Sequence, residues 1–161
     1  MPPSKAKPAR RSQAVPLEKT DMRVLLAVDG SAYTQRTLDF LERNLGVVKQ
    51  PAAYTVLHVV PKMSPFAINS LEPQVMKRFY KDQAAVIFRP IRRFFRKLGI
   101  KATFVYKIGN PAEAISATAE SEEFDLVIMG TQGAHALSRL VVGSVVSRVL
   151  AECRVPVLLV P

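Results

Sequence analysis

From residue 22 onward, short apolar runs alternate with longer segments whose apolar positions recur at helical spacing. That alternation predicts βαβ units with right-handed crossovers and a parallel sheet. Five strands are predicted. The first covers Arg23 to Val28 and leaves the sheet at Asp29-Gly30; the second covers Ala53 to Val60, between Pro51 and Pro61. The third covers Ala102 to Lys107, the fourth Phe124 to Met129, and the last Val155 to Val160. The first and fourth are almost continuously apolar, as strands covered on both faces must be, whereas Pro156 assigns the last strand to an edge. The expected architecture is a single open α/β domain with strand order 3-2-1-4-5 and helices on both faces. No internal repeat is evident.

Helices are expected between the strands. Ser31 is a candidate N-cap for a segment with Leu38, Leu41 and Leu45 on one side, stopped by Gly46. Residues 61–70 read as a loop. A long helix follows over about residues 71–98, with Met76, Phe79, Tyr80, Gln83, Ile87, Ile91, Phe94 and Leu98 as its core stripe. Pro90 lies within it and is expected to kink or split it, because proline lacks an N–H and crowds the preceding turn. Asn110-Pro111 starts a helix running to about Ser121, and a last helix covers about Ser144 to Glu152.

The chain of 161 residues carries a formal net charge of +10, which invites nucleic-acid or membrane-surface partners. Part of the excess lies in residues 1–21, where Lys5, Lys7, Arg10, Arg11 and Lys19 outnumber Glu18 and Asp21. With four prolines and little apolar content, this segment reads as a flexible basic arm ahead of a domain over residues 22–161. The other part lies on the long helix and just beyond it: Lys77, Arg78, Lys81, Arg89, Arg92, Arg93, Arg96, Lys97 and Lys101, with Asp82 the only acid among them. A solvated face is the default for this composition, and a docking surface for nucleic acid or an acidic partner is the alternative. The absence of interleaved aromatics on the exposed basic flank counts against a single-strand platform. No apolar stretch reaches the roughly 18 residues of a membrane span. Met1-Pro2-Pro3-Ser4-Lys5 is not followed by the apolar segment of a signal peptide, so a cytoplasmic setting is expected. The single Cys153 reads as a near-core thiol, and His58 and His135 lack the companions of a zinc site.

Open parallel sheets bind ligands beyond the carboxyl ends of their strands, where the strand order reverses direction. In the order 3-2-1-4-5 that point lies between Asp29-Gly30 and the loop that runs from Gly130 through Gly133 to Gly143-Ser144. Glycines remove side chains where a ligand must approach the backbone, and the helix start after Gly143 offers unpaired N–H groups to an anion. Ser144 either caps its own helix or contacts a phosphate, and Asp29 either closes its turn, contacts a ligand, or does both.

The spacing Gly130-x2-Gly133-x9-Gly143-Ser144 resembles the ATP-binding signature of universal stress proteins. Val28-Asp29-Gly30-Ser31, His58-Val59, Gly109-Asn110-Pro111-Ala112-Glu113-Ala114-Ile115 and Val155-Pro156-Val157-Leu158-Leu159-Val160 occur in the family's order. The resemblance covers about residues 22–160 and implies a Rossmann-like fold of the adenine nucleotide alpha hydrolase type. It also implies ATP as ligand, with Mg2+ as an optional companion. Ala27, Asp29 and Val59 would then line the nucleoside side, and Met129 and Gly130 would pack on the ribose. Gly133, Gly143, Ser144 and Val145 would hold the phosphates through amides and the hydroxyl. Arg139 is either a phosphate screen or a solvated side chain, and Gln132 stands where many relatives carry a basic residue. Relatives commonly dimerise through the last strand, so a homodimer through Val155–Val160 is implied.

An enzyme would need a nucleophile, a base or a metal set, and the chain has neither a G-x-x-x-x-G-K-[ST] lysine nor a G-x-S-x-G elbow. Slow ATP hydrolysis is the most that is expected. A nucleotide-dependent regulator is the leading function, and an interaction module built on the basic helix and arm is the competing one.

Overall fold

The computed structural model describes residues 22–44, 52–134 and 142–161. The basic arm, Gly46, His135 and Arg139 lie outside them. The elements run β1 (Met22–Ala27), α1 (Ala32–Arg43), β2 (Ala52–Val60), α2 (Pro65–Ser70), α3 (Pro73–Lys97), β3 (Ala102–Ile108), α4 (Pro111–Ser121), β4 (Leu126–Gly130), α5 (Ser144–Glu152) and β5 (Val157–Val160). All four strand pairs are parallel, in the order β3-β2-β1-β4-β5. This is the predicted topology, and it puts the reversal of strand order at β1 and β4, where Leu25 pairs with Val127.

Alternation along β1 divides the core between two faces. Val24, Leu26 and Val28 pack with Leu38 and Leu41 of α1 and with Tyr80, Ala84, Phe88, Ile91 and Phe95 of α3. On the opposite face Leu25 packs with Leu57 and Val59 of β2, Ala112, Ile115 and Ala119 of α4, and Val146 and Val149 of α5. Cys153 is half-buried at the edge of this second cluster.

Two local readings are corrected and a third is narrowed. Residues 65–70 form a short helix rather than loop: Ser64 accepts a hydrogen bond from the Ala67 amide and Pro65 stands in the first turn, the combination that starts a helix. Pro90 does not split α3, which runs unbroken for 25 residues. Pro90 is exposed, so the Val86 carbonyl left without its donor faces water. The buried stripe of α3 is also rotated from the expected one. Tyr80 and Ile91 are buried as predicted, but Ala84, Phe88 and Phe95 complete the stripe, while Phe79 is 40% exposed and Gln83 faces solvent.

Candidate nucleotide site

The chain leaves β1 through a turn held by Asp29. Its Oδ1 accepts hydrogen bonds from the Ser31 amide and the Thr34 hydroxyl, each at 3.0 Å. The Thr34 Oγ1 in turn accepts from the amides of Asp29 and Gly30. Ser31 caps α1, accepting from the amides of Tyr33 and Thr34. Gly30 adopts φ +78°, and a Cβ there would fall 2.6 Å from Ile87 Cδ1 of α3. Asp29 is therefore a turn residue, but its other oxygen does something else: Oδ2 accepts from the Ala134 amide at 2.8 Å, tying the β1 exit to the β4 exit. Burial raises the Asp29 carboxyl, yet the bonds from Ser31, Thr34 and Ala134 outweigh it and hold the group below its ordinary value of 3.8.

The β4 exit is equally constrained. A Cβ on Gly130 would meet the Cβ of Tyr33 at 2.6 Å, so α1 lies close over this strand end only because position 130 is glycine. The Tyr33 hydroxyl donates to Gln132 Oε1 at 2.7 Å, and Gln132 is 7% exposed. Gln132 is thus a buried amide that braces the loop. The Gly143 amide donates to the Thr131 carbonyl at 2.9 Å, pinning the two ends of the loop together. That amide is therefore not free for a phosphate. A Cβ on Gly143 would fall 3.3 Å from Gln132 Cα, so what the position contributes is close backbone approach.

Three helices begin beside the resulting cleft, and their first turns differ. Ser31 caps α1, and the Asn110 side chain caps α4 by accepting from the amides of Ala112 and Glu113. Helix α5 has Gly143 at its N-cap and no side-chain cap. Ser144 is thus the first helical residue rather than the cap, and it is exposed. The amides of Ser144, Val145 and Val146 have no acceptor among the described residues. Three bare N–H groups at the positive end of a helix make an anion site.

The opposite wall comes from β2. The Leu57 carbonyl accepts from the Val28 amide on the β1 flank, and the Val60 carbonyl accepts from the Gly109 amide on the β3 flank. Alternation along the strand therefore turns the peptide groups of Val59 toward the β1 flank, where β1 has already left the sheet. The Val28 carbonyl, which would have continued the ladder, accepts instead from His58 Nδ1 at 2.8 Å. A carbonyl only accepts, so Nδ1 carries the proton. The His58 ring also meets Phe88 of α3 edge-on, with centroids 6.3 Å apart.

These walls enclose a cavity of about 620 Å³, within the range of small-molecule sites. Ala27, Asp29, Val59, Met129, Gly130, Gly133, Gly143, Ser144 and Val145, the residues singled out in the sequence, all line it. Pro61, Pro111, Ile115, Gln132 and Val142 line it too, although the sequence did not assign them to the ligand. Among the described residues no group of three His, Cys, Asp or Glu side chains is placed to hold a metal ion.

The model of the universal stress protein family matches residues 22–161. The chain belongs to that family. Universal stress protein MJ0531 of Methanocaldococcus jannaschii is 26% identical over 140 residues, which make up 86% of this chain and 81% of that protein. Among solved structures, protein MJ0577 superposes with a TM-score of 0.72 at 24% identity, covering 86% of this chain and 94% of its own. A universal stress protein family member from Arabidopsis thaliana, solved with AMP bound, gives a TM-score of 0.61 at 15% identity, covering 86% and 90% of the two chains. Another universal stress protein, solved in complex with cAMP, gives 0.64 at 20% identity, covering 87% and 97%. At these identities the solved structures speak for the fold. Among the described residues, no helix of this universal stress protein is long and apolar enough to cross a membrane.

Proposed function

We propose that this universal stress protein binds ATP in the cavity between the β1 and β4 exits and acts as a nucleotide-dependent regulator of the stress response. The observation that carries the reading is the uncapped start of α5, with the Ser144, Val145 and Val146 amides lining the cavity while the neighbouring α1 and α4 are closed by their own side chains. The polyphosphate sits on these amides and on the Ser144 hydroxyl, beside Gly133. The adenosine occupies the apolar side formed by Ala27, Val59 and Met129, where the peptide groups of Val59 on the β1 flank meet the base edge. Asp29 accepts three hydrogen bonds from protein donors. A carboxylate offers about four lone-pair positions, so one remains for a ribose hydroxyl. Two structural relatives holding adenosine phosphates, AMP and cAMP, support the ligand class.

Asp29 is the carboxylate on the described cavity wall, and most of its acceptor capacity is taken. These residues fit Mg2+ only as an ion carried by the phosphates, with Asp29 or Ser144 at its margin. We assign no hydrolytic step. The protein acts in the cytoplasm as a homodimer joined through β5, an edge strand whose outer backbone groups suit a symmetric partner. Sedimentation of the Val157→Lys/Leu159→Lys variant tests the dimer: it should run as a monomer where the wild type does not.

ATP titration by calorimetry tests the nucleotide reading. Ser144→Pro removes one amide and the hydroxyl while keeping the helix, because proline suits the first helical position and Gly143 before it is already extended at φ −63°, ψ 153°. Affinity should fall at least about tenfold, since hydrogen bonds to charged groups contribute about 1.5–3 kcal/mol each. Ser144→Ala, which keeps the amide, should lose less. Equal affinity in wild type and Ser144→Pro would remove the cradle from the account.

A further inference from the structure

A second concavity, of about 480 Å³, lies on the other side of α3, between that helix and the edge strand β3. Lys81, Arg89, Arg92, Arg93 and Arg96 line it, and all five are exposed. None has an acidic partner among the described residues, although Arg78 pairs with Asp82 and Lys97 with Glu42 at the ends of the same basic cluster. At 1.5 Å per residue the five cations extend over about 22 Å of helix. Holding them together without counter-charge costs free energy that an anionic occupant removes.

The floor of this groove is aromatic. Phe104 and Tyr106 project from alternate positions of β3 on the α3 side, and both are half-buried and line the groove. The Arg92 guanidinium stacks on Phe104 at 4.0 Å from the ring centroid and lies 5.9 Å from that of Phe88. Stacking of this kind restrains a guanidinium and leaves its N–H donors available to an anion. Four of the five cations are arginines, whose forked donors match phosphate oxygens two at a time.

We infer that the groove between α3 and β3 binds single-stranded nucleic acid, with the arginines on the phosphates and Tyr106 stacking on a base. A positively charged channel with aromatic side chains along it is how single strands are held without sequence preference. An anionic membrane meets a protein on a convex or flat face, and this surface is concave. An acidic peptide would satisfy the arginines but leave the aromatic floor without a role. A sequence pI near 10.1 agrees with a polyanionic partner. The inference stands apart from the ATP site, since the two cavities have no lining residue in common.

Fluorescence anisotropy of the full chain with a labelled oligouridylate of about 12 nucleotides, within the usual site size, provides the test. Arg89→Gln/Arg93→Gln/Arg96→Gln should weaken binding more than tenfold. It should also flatten the dependence of log K on log salt by about 0.7 for each phosphate that the variant no longer neutralises. Arg43→Gln/Lys62→Gln/Arg154→Gln removes the same charge from exposed positions outside the groove and should change affinity less than twofold. Tyr106→Leu keeps an apolar floor and should weaken the oligonucleotide at least about fivefold while leaving polyglutamate binding unchanged. Ser144→Pro should bind the oligonucleotide like wild type, so failure of the ATP reading and failure of this one are separable. Thermal melts confirm that each variant is folded. Equal loss in the two triple variants, a duplex or polyglutamate bound as tightly as the single strand, or no binding at low salt would each overturn the inference.

Discussion

The Asp29 carboxylate accepts a hydrogen bond from the Ala134 amide at 2.8 Å, joining two loops that are 105 positions apart in sequence. Separating Asp29 from Ala134 breaks a charge-assisted bond, so this contact opposes widening of the cleft between them. Asp29→Ala should cost about 1–3 kcal/mol of stability, read from denaturant midpoints, because it leaves the Ser31, Thr34 and Ala134 donors unsatisfied. Asp29→Asn should cost less and still weaken ATP.

The same residue predicts an acid response. Its folded pKa lies below the ordinary value of 3.8, so its contribution is complete above that value and is lost as pH falls through the folded pKa. Thermal melts of wild type between pH 5 and pH 2 should therefore converge on those of Asp29→Asn at the acid end. Parallel curves across that range would show that the carboxylate carries no linked stability.

Gly130→Ala should be harmful out of proportion to one methyl group. The new atom meets Tyr33 Cβ at 2.6 Å, and a Cβ has no rotamer by which to withdraw, so either α1 or the end of β4 must shift. A cost of about 1–3 kcal/mol is expected, or several degrees in Tm for a domain of this size. Gly99→Ala is the comparison: nothing lies within 4 Å of the added carbon, and only its φ of +67° opposes the change. It should cost about 1–2 kcal/mol and leave ATP affinity unaltered.

Pro90→Ala should stabilise the protein. Pro90 is exposed within an unbroken α3, so alanine restores a donor for the Val86 carbonyl and removes a steric clash at no loss of packing. A gain of about 1–3 kcal/mol in chemical denaturation is expected. A loss of stability would mean that α3 depends on the local geometry proline imposes.

Strand order and cleft position were legible because Val24–Val28 and Leu126–Met129 are apolar enough to be central, and the glycines that follow them mark where a central strand opens. The phase of α3 was harder to read. Phe79, Ile87 and Phe94 outweigh Ala84 in any hydrophobic pattern, yet the small alanine faces the sheet and Phe79 faces out. The short helix at Pro65–Ser70 was hidden because proline and serine suggest a loop, although Ser64-Pro65 is equally a helix start. The Tyr33 to Gln132 bond and the aromatic floor under the arginines join residues from separate elements, and periodicity within one segment carries no information about such pairs.

His58 lines the cleft between the β1 and β4 exits, and Phe88 lines the arginine groove behind it; the two rings touch edge to face. The two chambers are therefore separated by a partition one ring pair thick. Thermodynamic reciprocity applies across such a wall: if adenine nucleotide tightens the grip on a polyanion by some factor, the polyanion tightens the grip on nucleotide by that same factor. A chain of this size would then report the abundance of one cellular solute through its hold on another.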